Sequence, residues 1–101
     1  MDEKEVREKL AALWEKYLPE MTERVRVLER ACESLGKGKL SPDERHSALA
    51  AAHKLAGALG TFGRGHGTEL AREIEGMLQN GTAQPARMRS LLQELRDIVG
   101  S

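Results

Sequence analysis

The sequence predicts an all-α fold: an antiparallel four-helix bundle with an additional N-terminal helical segment. Three observations carry this. Apolar residues recur every three or four positions along most of the chain, the period of one helix face. Ser41-Pro42-Asp43-Glu44 is a complete helix start. No stretch alternates apolar and polar residues long enough to form a strand, and no segment repeats. Helices joined by short loops pack as an antiparallel bundle. The 101 residues read as one domain, spanning 1–101. A chain of this size hides roughly 10,500 Å² of about 16,000 Å² on folding, which is one modest core with no separate lid or cofactor domain.

In the first third, Val6, Leu10, Trp14, Tyr17, Met21, Val25, Leu28, Cys32 and Leu35 form a single apolar stripe. Pro19 lacks the amide a helix interior needs. A kink or a break is therefore expected near Tyr17-Leu18, with Pro19 opening a second, nearly coaxial segment. Gly36-Lys37-Gly38-Lys39 ends that region. At Ser41 the serine caps, Pro42 takes the first helical position and Glu44 closes a capping box, beginning a helix that runs to about Phe62. Gly63-Arg64-Gly65-His66-Gly67 is too rich in glycine to continue it, and Thr68 is expected to cap the next helix. That helix carries Leu70, Ala71, Ile74, Met77 and Leu78 and stops at Asn80-Gly81. The last begins near Ala83 with Pro85 in its first turn, and carries Met88, Leu91, Leu92, Leu95, Ile98 and Val99.

Sixteen basic residues balance sixteen acidic ones. This even mixture is no basic footprint for nucleic acid, which is not expected as a partner. A single cysteine, Cys32, makes no internal disulfide, and the first residues are neither a basic leader nor followed by an apolar run, so the expected compartment is the cytoplasm. No apolar run is long enough for membrane insertion.

On the wheel of the Ser41-capped helix, with His53 at zero and 100° per residue, Leu55, Leu59 and Phe62 fall at about 200°, 240° and 180°. Ala48, Ala51, Ala52 and Ala58 cluster with them. His53 thus lies opposite the buried stripe and faces solvent. Its neighbours on that face are Leu49, Ala50, Ala56, Gly57 and Gly60, not the Glu, Lys and Arg of an ordinary exposed face. Two interior glycines cost about 1 kcal/mol each relative to alanine. The physical reason is close approach, with small residues letting another protein reach the imidazole. A neutral exposed imidazole is a competent nucleophile near pH 7. Phosphoryl transfer suits it, because the acceptor needs little machinery of its own.

The run Ala52-His53-Lys54-Leu55-Ala56-Gly57-Ala58-Leu59-Gly60-Thr61-Phe62-Gly63 resembles the signature of histidine-containing phosphotransfer (HPt) domains. In that signature an Ala-His pair precedes a leucine, one glycine stands four residues after the histidine and a second stands ten after it. The likeness implies a four-helix bundle, often with an extra N-terminal helix, bearing a phosphorylated histidine. It also implies exchange of phosphate with histidine kinases and with aspartates of response-regulator receiver domains. His53 would then be the phosphorylation site and Gly57 would give the receiver access. The family often has lysine three residues after the histidine to steady the phosphate. Here that position is Ala56, and Lys54, one residue after, is the candidate replacement. Glu75 stands where the family commonly puts a polar residue that orients the ring, and a carboxylate there would leave Nε2 free to attack. Arg72 and Gln79, a turn either side, could contact phosphate or receiver. Leu49, Ala50, Gly57 and Gly60 make an expected apolar docking patch ringed by His46, Lys54 and Arg64.

Such a domain has no independent catalytic turnover and no cofactor of its own. Mg²⁺ is expected from the partner receiver. No metal site is expected: His46 and His53 lie two turns apart, about 10.5 Å, too far to share one ion without other ligands. His66 reads as a surface residue, the glycine-rich turn has no strand before it and is no phosphate cradle, and Cys32, Trp14 and Tyr17 read as packing residues. With one evident open face, a monomer is the simplest expectation. The alternative reading is a non-phosphorylated helical module that docks receiver domains or partner helices through the same face.

Overall fold

The computed structural model describes residues 2–100. Most of them lie in four helices: α1 (Glu3–Gly36), α2 (Pro42–Thr61), α3 (Gly65–Asn80) and α4 (Pro85–Gly100). Each helix packs on its neighbours in the cycle α1-α2-α3-α4, so the bundle is a ring. Cross-helix contacts run in opposite directions along each pair, as antiparallel packing requires. On α2 and α3, Ala56 meets Thr68 while His53 meets Glu75. On α1 and α4, Cys32 meets Pro85 while Glu29 meets Arg96.

The strongest local signal sits at α2. Ser41 accepts the Glu44 amide at 3.1 Å and Glu44 returns a bond to the Ser41 amide at 3.2 Å. The Ser34 hydroxyl also donates to the Glu44 carboxylate, which ties the end of α1 to the start of α2. These bonds hold the Glu44 carboxyl below its usual range, the Ser34 hydroxyl contributing most. At this same end of α2, Arg45 reaches across to donate to the Leu78 carbonyl at 2.8 Å, satisfying one orphan acceptor at the C-terminus of α3. Gly81, at φ 69°, then ends α3 in the left-handed way.

Three expectations are corrected here. Pro19 does not break the first helix: α1 is continuous over 34 residues. The missing amide costs one bond on an exposed side of the helix, and the burial of Met21, Val25 and Leu28 carries the helix through. The N-terminal segment is therefore the first half of α1 and not a separate helix. Nor is its stripe wholly core: Val6, Leu10 and Tyr17 are 40%, 37% and 40% exposed. At about 1.5 Å per residue, α1 is roughly twice as long as α3 and α4, so its first turns outrun the bundle. Trp14 is the outermost buried residue of the stripe. It packs edge-on to Phe62 with ring centroids 5.4 Å apart, and the Arg64 guanidinium stacks on its other contact surface at 3.6 Å.

Thr68 does not cap α3, which starts three residues earlier. Gly63, at φ 73°, turns the chain out of α2, and Arg64, pinned on Trp14, precedes the first turn. Gly65, His66 and Gly67 are already helical. Gly67 has a packing reason. A Cβ there would lie 2.8 Å from Leu59 Cδ1 and 3.4 Å from Ile98 Cγ2, so only glycine lets α3 come this close to α2. Leu59 is fully buried and has little room to move. Gly67→Val is therefore expected to destabilise the domain by about 1–3 kcal/mol through overpacking, measured as a shift in urea midpoint at unchanged m value.

Candidate functional site

His53 projects from the middle of α2 with 78% of its side chain exposed. Helix phase alone puts it there, because Ala48, Ala52, Leu55 and Leu59 take the buried side. Its Nδ1 lies 3.1 Å from Glu75 Oε2 on α3, whose side chain is only 27% exposed. An ionised carboxylate can only accept, so Nδ1 carries the hydrogen and donates it. In the neutral ring the lone pair is then on Nε2, which faces away from Glu75. The carboxylate fixes ring orientation and tautomer together, and leaves the other nitrogen available as a nucleophile.

Two glycines on the His53 face have different physical reasons. At Gly57, exposed one turn after the histidine, a Cβ would meet nothing within 4 Å. Packing does not require a glycine there, so its helix-propensity cost stands without a structural return. At Gly60 a Cβ would lie 3.3 Å from the Thr68 hydroxyl, which itself donates to the Ala56 carbonyl at 2.7 Å. Gly60 is exposed, yet its missing side chain serves the approach of α3.

Ala56 is corrected. It was expected on the open face with His53, but it is buried, 5% exposed, where α3 covers that edge of α2. Ala50 and His46 are exposed and Leu49 is half-buried, continuing the His53 face toward the start of α2. Lys54 is exposed, and among the described residues it makes no hydrogen bond or ion pair. Arg64 lies at the far end of the face, stacked on Trp14, about three turns from the histidine. The structure thus brings His53, Glu75, Gly57 and Lys54 to one place and puts His46 and Arg64 at opposite ends of it. Periodicity in the sequence did not show the Thr68 tie or the Arg45 cap, because both depend on which helix lies alongside.

Other titratable groups do not gather into a second centre. Among the described residues no group of three or more His, Cys, Asp and Glu is placed to hold a metal ion. Cys32 is buried, its thiol 3.5 Å from the Pro85 carbonyl, and burial pushes its pKa up, away from the reactive thiolate. His66 sits near Glu69 and Glu94, at 3.6 and 4.0 Å, on the α3–α4 surface. No described helix is long and apolar enough to cross a membrane.

The four-helix bundle presents on α2 an exposed imidazole whose Nδ1 is held by Glu75 of α3. A protein-family model described as the Hpt domain matches residues 12–100, and the chain belongs to that family. Its role is accordingly related to phosphotransfer in two-component signalling, where Hpt domains work with histidine kinases and receiver domains. Comparisons with curated proteins and with solved structures return no match.

The His53–Glu75 geometry makes a direct prediction. Nitrogen-15 spectra of the imidazole should report the Nδ1–H tautomer as dominant in the neutral protein. In Glu75→Leu the ring should shift toward the Nε2–H form that free histidine prefers, with the helical fold unchanged by circular dichroism.

Proposed function

We propose that the domain is a phosphocarrier in which His53 takes a phosphoryl group from a histidine kinase or from a receiver phosphoaspartate and passes it to a receiver aspartate. The observation that carries this is the solvent-facing imidazole whose Nδ1 is held by Glu75. The Nε2 lone pair attacks phosphorus in line as the bond from phosphorus to the aspartate oxygen breaks, and the carboxylate leaves with that electron pair. Nδ1 keeps its proton throughout. The positive charge that builds on the ring is met by the Glu75 carboxylate, so the phosphoramidate forms without a separate general base. Return transfer reverses each step.

The remaining residues do supporting work in this reading. Gly57 leaves open space beside the imidazole, enough for a receiver surface to bring its aspartate into line. Leu49, Ala50 and Gly60 extend that docking patch, His46 and Arg64 mark its ends, and Lys54 supplies a positive charge near the phosphoryl oxygens. Mg²⁺ and the acidic cluster that holds it would come with the receiver, on the cytoplasmic side where kinase and regulator meet. The domain acts as a monomer and turns nothing over alone.

Incubation with potassium phosphoramidate, followed by intact-mass analysis, should add one acid-labile, base-stable phosphoryl group to the protein and none to His53→Gln. Gly57→Gln should still be charged by this small donor and should still fold, but should lose transfer from a phosphorylated receiver. If neither a receiver nor the small donor charges the unmodified protein, the carrier reading fails and a docking module that is never phosphorylated replaces it.

A further inference from the structure

Phosphorylation of His53 would put a dianion on an exposed helix face, and the question is which charge answers it. On α2 the position one turn along on the α3 side is Ala56, buried against that helix, so no cation can be offered from there. The α3 surface is different. Thr68, Arg72 and Glu75 follow one another on a single strip, at about 0°, 40° and −20° around the α3 axis. Both outer members of the strip touch α2: Thr68 bonds the Ala56 carbonyl at 2.7 Å and Glu75 bonds His53 at 3.1 Å. Arg72 lies between these two contacts along α3 and is exposed.

The charges around it leave it available. Glu75 is engaged by His53, Glu73 by Arg87 at 2.8 Å, and Glu69 lies 3.6 Å from His66. Among the described residues Arg72 makes no hydrogen bond or ion pair, although three glutamates lie within one turn of it on its own helix. The surface around His53 and along α3 is open as well. Gly57 on α2 and Gly76, the next turn of α3 after Arg72, both leave a Cβ position with nothing within 4 Å. An exposed, unengaged guanidinium therefore stands on the same α3 strip that reaches His53 through Glu75.

We propose that Arg72 is the phosphate-holding residue of this domain, its guanidinium reaching from the α3 strip, past Glu75, to bond the phosphoryl oxygens on His53 Nε2. The inference rests on the phosphocarrier reading and goes beyond it by assigning the counter-charge to α3. The planar fork can engage two oxygens at once, which a lysine ammonium on a flexible stem does less well. Its effect is on lifetime. Spontaneous hydrolysis breaks the N–P bond, returns its electron pair to Nε2 and joins a water oxygen to phosphorus, releasing inorganic phosphate and a proton. The guanidinium pairs with the phosphoryl dianion of the charged state and stabilises that state more than the loose transition state, in which the oxygens carry less charge, so the phosphoryl group is lost more slowly.

The experiment charges the full chain with potassium phosphoramidate, removes the donor, and follows loss of the phosphoryl group by intact mass in the unmodified protein, Arg72→Ala, Arg72→Lys and Lys9→Ala. Arg72→Ala should be charged on His53 and should lose phosphate about three- to tenfold faster at low salt. Arg72→Lys should recover part of the lifetime, Lys9→Ala on the exposed first turns of α1 should change it by less than about twofold, and the difference should shrink as salt rises. A residue that merely supports the helix would not show that salt dependence. An Arg72→Ala lifetime equal to that of the unmodified protein overturns the assignment while leaving the carrier reading intact. Failure of every variant, the unmodified protein included, to take phosphate on His53 removes the carrier reading and this inference with it.

Discussion

Leu59 on α2 and Gly67 on α3 meet where the missing Cβ of the glycine leaves just enough room for the leucine methyl. The geometry of the histidine face is measured from that contact. Thr68, the next residue on α3, donates to the Ala56 carbonyl and lies over Gly60, so the two helices are locked in both separation and register. With the register set, Glu75 two turns further on arrives opposite His53. A helix pair held a little further apart would keep its core and lose the bond to Nδ1, because a hydrogen bond tolerates only a few tenths of an ångström. Precision at the exposed ring is therefore borrowed from the buried side of the same two helices.

Glycine is used in opposite senses around this contact. At Gly67 the residue is required by packing, and its poor helix propensity is offset by the core that closes over it. At Gly57 nothing in the fold asks for it. About 1 kcal/mol of helix propensity is given up there relative to alanine, and in a domain of this size that is a noticeable fraction of total stability. A cost with no structural return, one turn from an exposed nucleophile, is the pattern expected where a partner surface must come close.

Much of this was legible from residue order. The phase of the apolar positions on α2 places His53 on the outside, and the box at Ser41 and Glu44 sets where that phase begins. What periodicity could not supply was which sectors of a helix its neighbours cover. Ala56, at about −60° from His53, looked open on the wheel and is closed by Thr68 and the rest of α3. The stripe from Val6 to Tyr17 looked like core and is largely exposed, because periodicity marks a face as apolar without saying whether another helix is long enough to meet it. Thr68 read as a cap because threonine after glycines is a good N-terminus. The pinning of Arg64 on Trp14 starts the helix earlier and turns the hydroxyl to a cross-helix bond. The meeting of positions 53 and 75 is a tertiary contact 22 residues apart, and only the likeness to a known family pointed to it.

A balanced net charge conceals how selectively the charges are used. Glu29 is engaged by Arg96, which holds its carboxyl below the usual range, Glu73 by Arg87, and Glu23 by Arg26 and Arg30. Glu20 pairs with Arg24 and Glu3 with Arg7 along α1. Most of these pairs are exposed and contribute little to stability. Only Glu73 is next to a cation of the His53 site, Arg72 on α3, and its pairing with Arg87 takes up a carboxylate that would otherwise compete for that guanidinium. Glu75 is the exception, since its partner is the imidazole itself. The face then holds one carboxylate aimed at the ring nitrogen, and cations left unengaged at Lys54 and Arg72. An incoming dianion meets positive charge on both flanks and a negative charge only behind the ring, where it compensates the imidazolium that transfer creates.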